Sequence, residues 1–178
     1  MEASPNIPDK RGSPTDIATS GREPPTSALS KMLRKEAIAL GLSVRDWQEA
    51  VQKAGDLLVK LGAVEPRYVE AMIQMVQEIG PYIVIAPGIA LPHARPEQGV
   101  KEACMSLLTL ATPVDFGNRY NDPVELVVAF GTPNNEAHTE ALAELARLLG
   151  DSDVLERLKQ ASSAHDVWEL IDRWSGAR

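Results

Sequence analysis

Two histidines carry the chemistry this sequence offers. His93 lies in Leu91-Pro92-His93-Ala94-Arg95-Pro96, between two prolines whose rings fix their own φ and restrict the residues before them. An imidazole there is presented rigidly. Proline has no amide hydrogen, so the amides of His93, Ala94 and Arg95 are the local donors for an anion, and Arg95 adds a permanent positive charge. His138 heads a segment that places it on one helical line with Leu142, Leu145 and Leu149. The first turn of a helix favours an anionic ligand and disfavours an imidazolium, so a neutral His138 beside a phosphate is the natural reading. Together, a His93 nucleophile and a His138 that stabilises the phosphoryl group have the logic of a phosphohistidine that is formed and passed on, rather than of hydrolysis.

The remaining candidates read as structure. Cys104 sits within an apolar run and behaves as a small core residue. His165 stands at the start of the last helix, and Trp47, Trp168 and Trp174 fall on helical apolar lines. Asp115, Asp122 and Glu125 flank strand ends, where they form turns or orient His93. A metal-dependent hydrolase using His93, His138 and an aspartate is a competing reading, but the sequence lacks an obvious three-ligand spacing.

The elements that must place these residues follow from periodicity. Leu29, Met32, Leu33, Ala37 and Leu40 recur at helical spacing up to Gly41, which predicts a short helix. Ser43 with Asp46 suggests an N-cap and capping box for a helix carrying Val44, Trp47, Val51, Ala54, Leu58 and Leu61, closed by Gly62. Pro66 starts another amphipathic helix, which ends at Gly80-Pro81. Tyr82–Ala86 and Ile89–Leu91, joined by Pro87-Gly88, read as a strand pair or bent strand. Cys104–Leu110 and Val124–Phe130 are longer strands whose continuous apolar character implies burial on both faces. Three helices follow, the last capped by Ser163 and Asp166. From the helix after Ser43 onward, the order α, α, β, β, β, β, α, α, α implies a sheet covered by helices on both sides.

Composition narrows the function classes. With 178 residues the chain suits one domain, and 44% hydrophobic against 24% charged residues is ordinary for a globular protein. The net charge of −7 argues against nucleic acid and anionic lipid as partners. One cysteine permits neither an internal disulfide nor a cysteine-based zinc cluster, which fits a reducing cytoplasm. No stretch reaches the ~18 apolar residues of a membrane span, and the N-terminus lacks the layout of a secretory signal. Met1–Ala28, rich in Pro, Ser, Thr and charge, reads as a disordered tail before a domain over residues 29–178.

The segment Tyr-Ile-Val-Ile-Ala-Pro-Gly-Ile-Ala-Leu-Pro-His-Ala-Arg-Pro-Glu, Tyr82 to Glu97, resembles the type-2 IIA domain of the bacterial phosphoenolpyruvate-dependent sugar phosphotransferase system. With Gly62–Met72 and Asp46-Trp47 it looks most like the ascorbate-type branch, and the likeness extends over roughly Val44 to Trp174. The resemblance implies a three-layer α/β/α sandwich around a small mixed sheet, with His93 phosphorylated and His138 as the second active-site histidine. It also implies a relay: the phosphocarrier HPr donates to His93, which passes the group to a cysteine of a IIB component, while a membrane IIC component recognises the sugar. Neither a metal nor an organic cofactor is implied, since such transfer works mainly by alignment and charge stabilisation. Mannitol-type and nitrogen-regulatory relatives carry an arginine 16 positions before the active histidine, where this chain has Gln77; Arg95 is the cation available to replace it. The alternative to transport is a regulatory protein whose phosphorylation state controls a bound partner. Docking is expected through apolar side chains around His93, with Gly88, Ile89 and Ala90 as candidates.

Overall fold

The computed structural model describes residues 28–176. The expected tail therefore lies outside the described residues, except for Ala28, which opens helix α1 (Ala28–Met32). From there the chain departs from the first expectation. Leu33–Leu42 is strand β1, where the spacing predicted a helix, and its burial follows neither a helical nor an alternating rhythm. It pairs in parallel with a later strand through two breaks in register, and helix α6 (Ala164–Gly176) packs against it. Tertiary pairing overrides a weak local preference here.

Helix α2 (Trp47–Lys60) starts from Asp46, whose carboxylate accepts from the Glu49 amide at 2.9 Å. Asp46 is thus the N-cap itself, and not the third residue of a box begun by Ser43. Helix α3 (Pro66–Ile79) carries its proline in the first turn and ends at Gly80, as the sequence indicated. The β2 (Val84–Ala86) and β3 (Ile89–Ala90) strands form an antiparallel hairpin. Its turn needs Gly88, whose φ of +79° lies in the left-handed region. Strands β4 (Cys104–Val114) and β5 (Val124–Gly131) follow, then α4 (Asn135–Leu149), α5 (Ser152–Gln160) and α6.

The five strands make one mixed sheet in the order β1-β4-β5-β3-β2. Side-chain alternation divides the core into two layers. Leu108 and Leu110 of β4 and Val127 and Ala129 of β5 face α2 and α3, where Ala54, Leu58, Tyr68 and Met72 are buried. Met105 and Leu107 of β4 and Leu126, Val128 and Phe130 of β5 face the other side, against Leu145, Leu149, Val167 and Ile171. The molecule is the three-layer α/β/α sandwich that the resemblance implied. Among the described residues, no helix is long and apolar enough to cross a membrane.

Candidate active site

His93 is placed by continuing the β3–β5 ladder. Ile89 pairs with Leu126 and Ala90 with Val127, a register that sets His93 opposite Phe130. The Phe130 amide donates to the Pro92 carbonyl at 3.1 Å, as that register requires. Ile89 and Leu91 face the α4 side of the sheet, and the two-residue repeat sends His93 to the same side. Its Nδ1 lies 2.7 Å from the Leu91 carbonyl. A carbonyl only accepts, so Nδ1 carries the proton, and in the neutral ring Nε2 holds the lone pair.

His138 reaches the same place from the first turn of α4. That turn is fixed by Asn134, whose side chain accepts from the Ala137 amide at 2.8 Å and whose carbonyl accepts from the His138 amide at 3.1 Å. The imidazoles of His93 and His138 stand 5.3 Å apart between centroids and are tilted by 51°. Phe130 stacks against both, at 5.0 Å from His93 and 5.4 Å from His138. The three rings form a triangle with an apolar floor and a half-buried mouth.

Burial lowers the pKa of His93; the Leu91 carbonyl pulls it part of the way back, and His138 lowers it further. Burial also lowers His138. Both rings are therefore held neutral near pH 7, the state in which Nε2 is a nucleophile. Cys104, by contrast, has its thiol pushed up to about 12, mainly by burial, and is inert.

Arg95 is not drawn into this triangle. Its amide donates to the Gln98 side chain at 2.9 Å, and its exposed guanidinium borders a groove with Gln74, Met75 and Glu78 of α3. Gln77 is exposed on the same helix. The acidic residues also go elsewhere. Asp122 accepts from the Phe116 and Gly117 amides, and Glu125 pairs with Lys159 at 2.6 Å, so a backbone carbonyl, and none of these carboxylates, orients His93. The docking candidates Gly88, Ile89 and Ala90 are all buried, so none of them offers a docking surface. Among the described residues, the large apolar side chains that do reach solvent are Ile79, Tyr82, Ile85 and Tyr120, with Tyr82 next to Ile83, whose carbonyl accepts from the Leu91 amide. Among the described residues, no three His, Cys, Asp or Glu side chains gather to hold a metal.

Two residues of the site had no signal in the sequence. Phe130 ends an apolar strand and looks like any core aromatic. Tyr68 lies on the buried stripe of α3, yet its hydroxyl accepts from the Ala94 amide at 3.0 Å and donates to the Phe130 carbonyl at 2.7 Å.

Comparison with known proteins identifies the family. Residues 31–174 match the family model described as "Phosphoenolpyruvate-dependent sugar phosphotransferase system, EIIA 2". The "Ascorbate-specific PTS system EIIA component" of Salmonella choleraesuis is 40% identical over 147 residues, covering 82% of this chain and 96% of the relative. The mannitol-specific cryptic phosphotransferase enzyme IIA of Escherichia coli superposes with a TM-score of 0.74 at 32% identity, over 82% of this chain and 99% of that one. The mannitol enzyme IIA of the same organism, solved in complex with phosphorylated enzyme IIB, gives 0.70 at 33% identity, over 78% and 96%. A family match across nearly every described element, on a sandwich of this architecture, makes the chain a member of the type-2 EIIA family of the phosphoenolpyruvate-dependent sugar phosphotransferase system, whose members are its phosphocarriers.

Proposed function

We propose that this chain carries its phosphoryl group on Nε2 of His93, receives it from phosphorylated HPr and delivers it to a cysteine of a IIB component. The observation that carries this reading is the 2.7 Å contact of His93 Nδ1 with the Leu91 carbonyl, which leaves Nε2 as the nucleophile beside His138. In the first step the Nε2 lone pair attacks phosphorus, and the donor's P–N bond breaks with its electrons returning to the donor imidazole. In the second, the IIB thiolate attacks, and the new P–N electrons return to His93. His138, neutral and in the first turn of α4, donates to the phosphoryl oxygens as charge builds in transit. Arg95 is the phosphate-stabilising cation in this scheme and must swing from the α3 groove to serve.

The sugar served is ascorbate or a related sugar acid, recognised by a membrane IIC component. The 40% identity to a relative that bears the ascorbate-specific name supports this choice. The working place is the cytoplasm, in keeping with a lone reduced cysteine. Mass spectrometry of the acid-labile site after incubation with phosphoenolpyruvate, enzyme I and HPr tests the scheme. Label is expected on His93 and is expected to vanish in His93→Ala; label that persists undiminished in His93→Ala overturns it.

A further inference from the structure

The Tyr68 hydroxyl stands in place of a strand-to-strand hydrogen bond directly beside His93, and we infer that Tyr68 is a positioning residue for the phosphoryl-carrying imidazole. The inference rests on the assignment of the phosphoryl group to His93. In a parallel ladder, a residue's amide bonds the carbonyl before its partner, and its carbonyl accepts from the amide after it. Phe130 makes the first bond, to the Pro92 carbonyl. The second should come from Ala94, and there the phenol is inserted: the Ala94 amide donates to the Tyr68 oxygen at 3.0 Å, and the Tyr68 hydroxyl donates to the Phe130 carbonyl at 2.7 Å. A phenol has one donor hydrogen and free lone pairs, so it can bridge both groups at once.

The consequence falls on His93. Its flanking backbone points, Pro92 before and Ala94 after, are both tied to Phe130, the residue whose ring lies under both imidazoles. The inserted hydroxyl holds the loop one group further from β5 than a direct bond would. From that position Nδ1 reaches the Leu91 carbonyl, so Tyr68 sets which ring nitrogen is free. The ring of Tyr68 is fully buried, and it packs beside Gly131, where a methyl group would meet the ring at an ordinary contact distance of 3.5 Å. Burial pushes the phenol well above its ordinary pKa, so it acts as a fixed hydrogen-bonding bridge across the working pH range.

Tyr68→Phe in the full chain tests this with three readouts: thermal melting, single-turnover phosphorylation by phospho-HPr, and ring-nitrogen NMR of histidine. The expected result is a folded variant with at least a fivefold lower maximal rate, a half-saturating donor concentration within twofold of wild type, and His93 nitrogens shifted toward a mixture of tautomers. A folded variant with the wild-type rate, or with unmoved His93 signals, overturns the inference. Should Tyr68→Phe not fold, replacement of all tyrosines by 3-fluorotyrosine keeps the ring packing and makes the oxygen a weaker acceptor. Tyr82→Phe/Tyr120→Phe carrying the same label is the control. A smaller loss of rate with the same ring shift is then expected, and no change in either overturns the inference. Mass spectrometry of wild type separates the two claims: absence of label on His93 refutes the site assignment, whereas label on His93 with no effect of the Tyr68 hydroxyl refutes only this role.

Discussion

Two imidazoles 5.3 Å apart, both held neutral by burial, give the site its pH behaviour. Protonating His93 removes the nucleophilic lone pair, so the phosphorylation rate should fall on the acid side with a midpoint below the ordinary 6.5. Stability follows the same sign. The unfolded chain takes up protons first, so the histidine contribution is fully present above about pH 6.5, declines as pH falls below it and is gone below the lowered folded values. Rates and melting temperatures measured between pH 5 and 8 check both. His138→Ala should slow transfer roughly 100-fold, the usual effect of losing a donor to developing charge, while leaving the fold intact. Arg95→Gln distinguishes an exposed groove residue from a working cation. If Arg95 swings in to serve the phosphate, the maximal rate drops several-fold and the donor concentration for half saturation barely moves; an unchanged maximal rate removes it from the scheme.

At the scale of elements, the site depends on where α4 begins. Asn134 caps it with its side chain and receives the His138 amide with its carbonyl, so one residue fixes both the helix start and the imidazole's base. Asn134→Ala should cost about 1 kcal/mol in chemical denaturation. It should also lower the phosphorylation rate, because a frayed first turn no longer aims His138 at His93. The β3–β5 ladder plays the matching part for His93, and its parallel register explains why a two-residue strand suffices. The chain beyond Ala90 keeps step with β5 through the Pro92 carbonyl and the Tyr68 bridge, although it no longer forms a regular strand.

For the whole molecule, the sheet must be complete before the site exists. β1 closes one edge by pairing with β4, and α6 packs against it. Removing residues 1–27 is expected to leave melting temperature and phosphorylation within experimental error of the full chain, consistent with a domain that starts near residue 29. Removing residues 1–42 strips β1 from β4, leaves an unpaired edge and uncovers Met105 and Leu107, so this shorter form is expected to aggregate or to lose its cooperative melt. Calorimetry and size-exclusion chromatography of the two truncations test the boundary.

The amino-acid order by itself singled out the two histidines and determined most of the scaffold. Proline on both sides of His93 declared a rigid loop, the leucines after His138 declared a helix, and apolar runs bounded by turn residues declared β4 and β5, because each of these signals is local. Three things were decided only by tertiary contact. β1 looked helical because its apolar spacing fits 3.6 residues per turn, and only pairing with β4 makes it a strand. The partner that orients His93 proved to be a backbone carbonyl, which no residue identity can announce. Tyr68 and Phe130 carry ordinary core residue types, and their work arises from being brought together across 62 positions of sequence, where a single hydroxyl completes a ladder that the strands leave open.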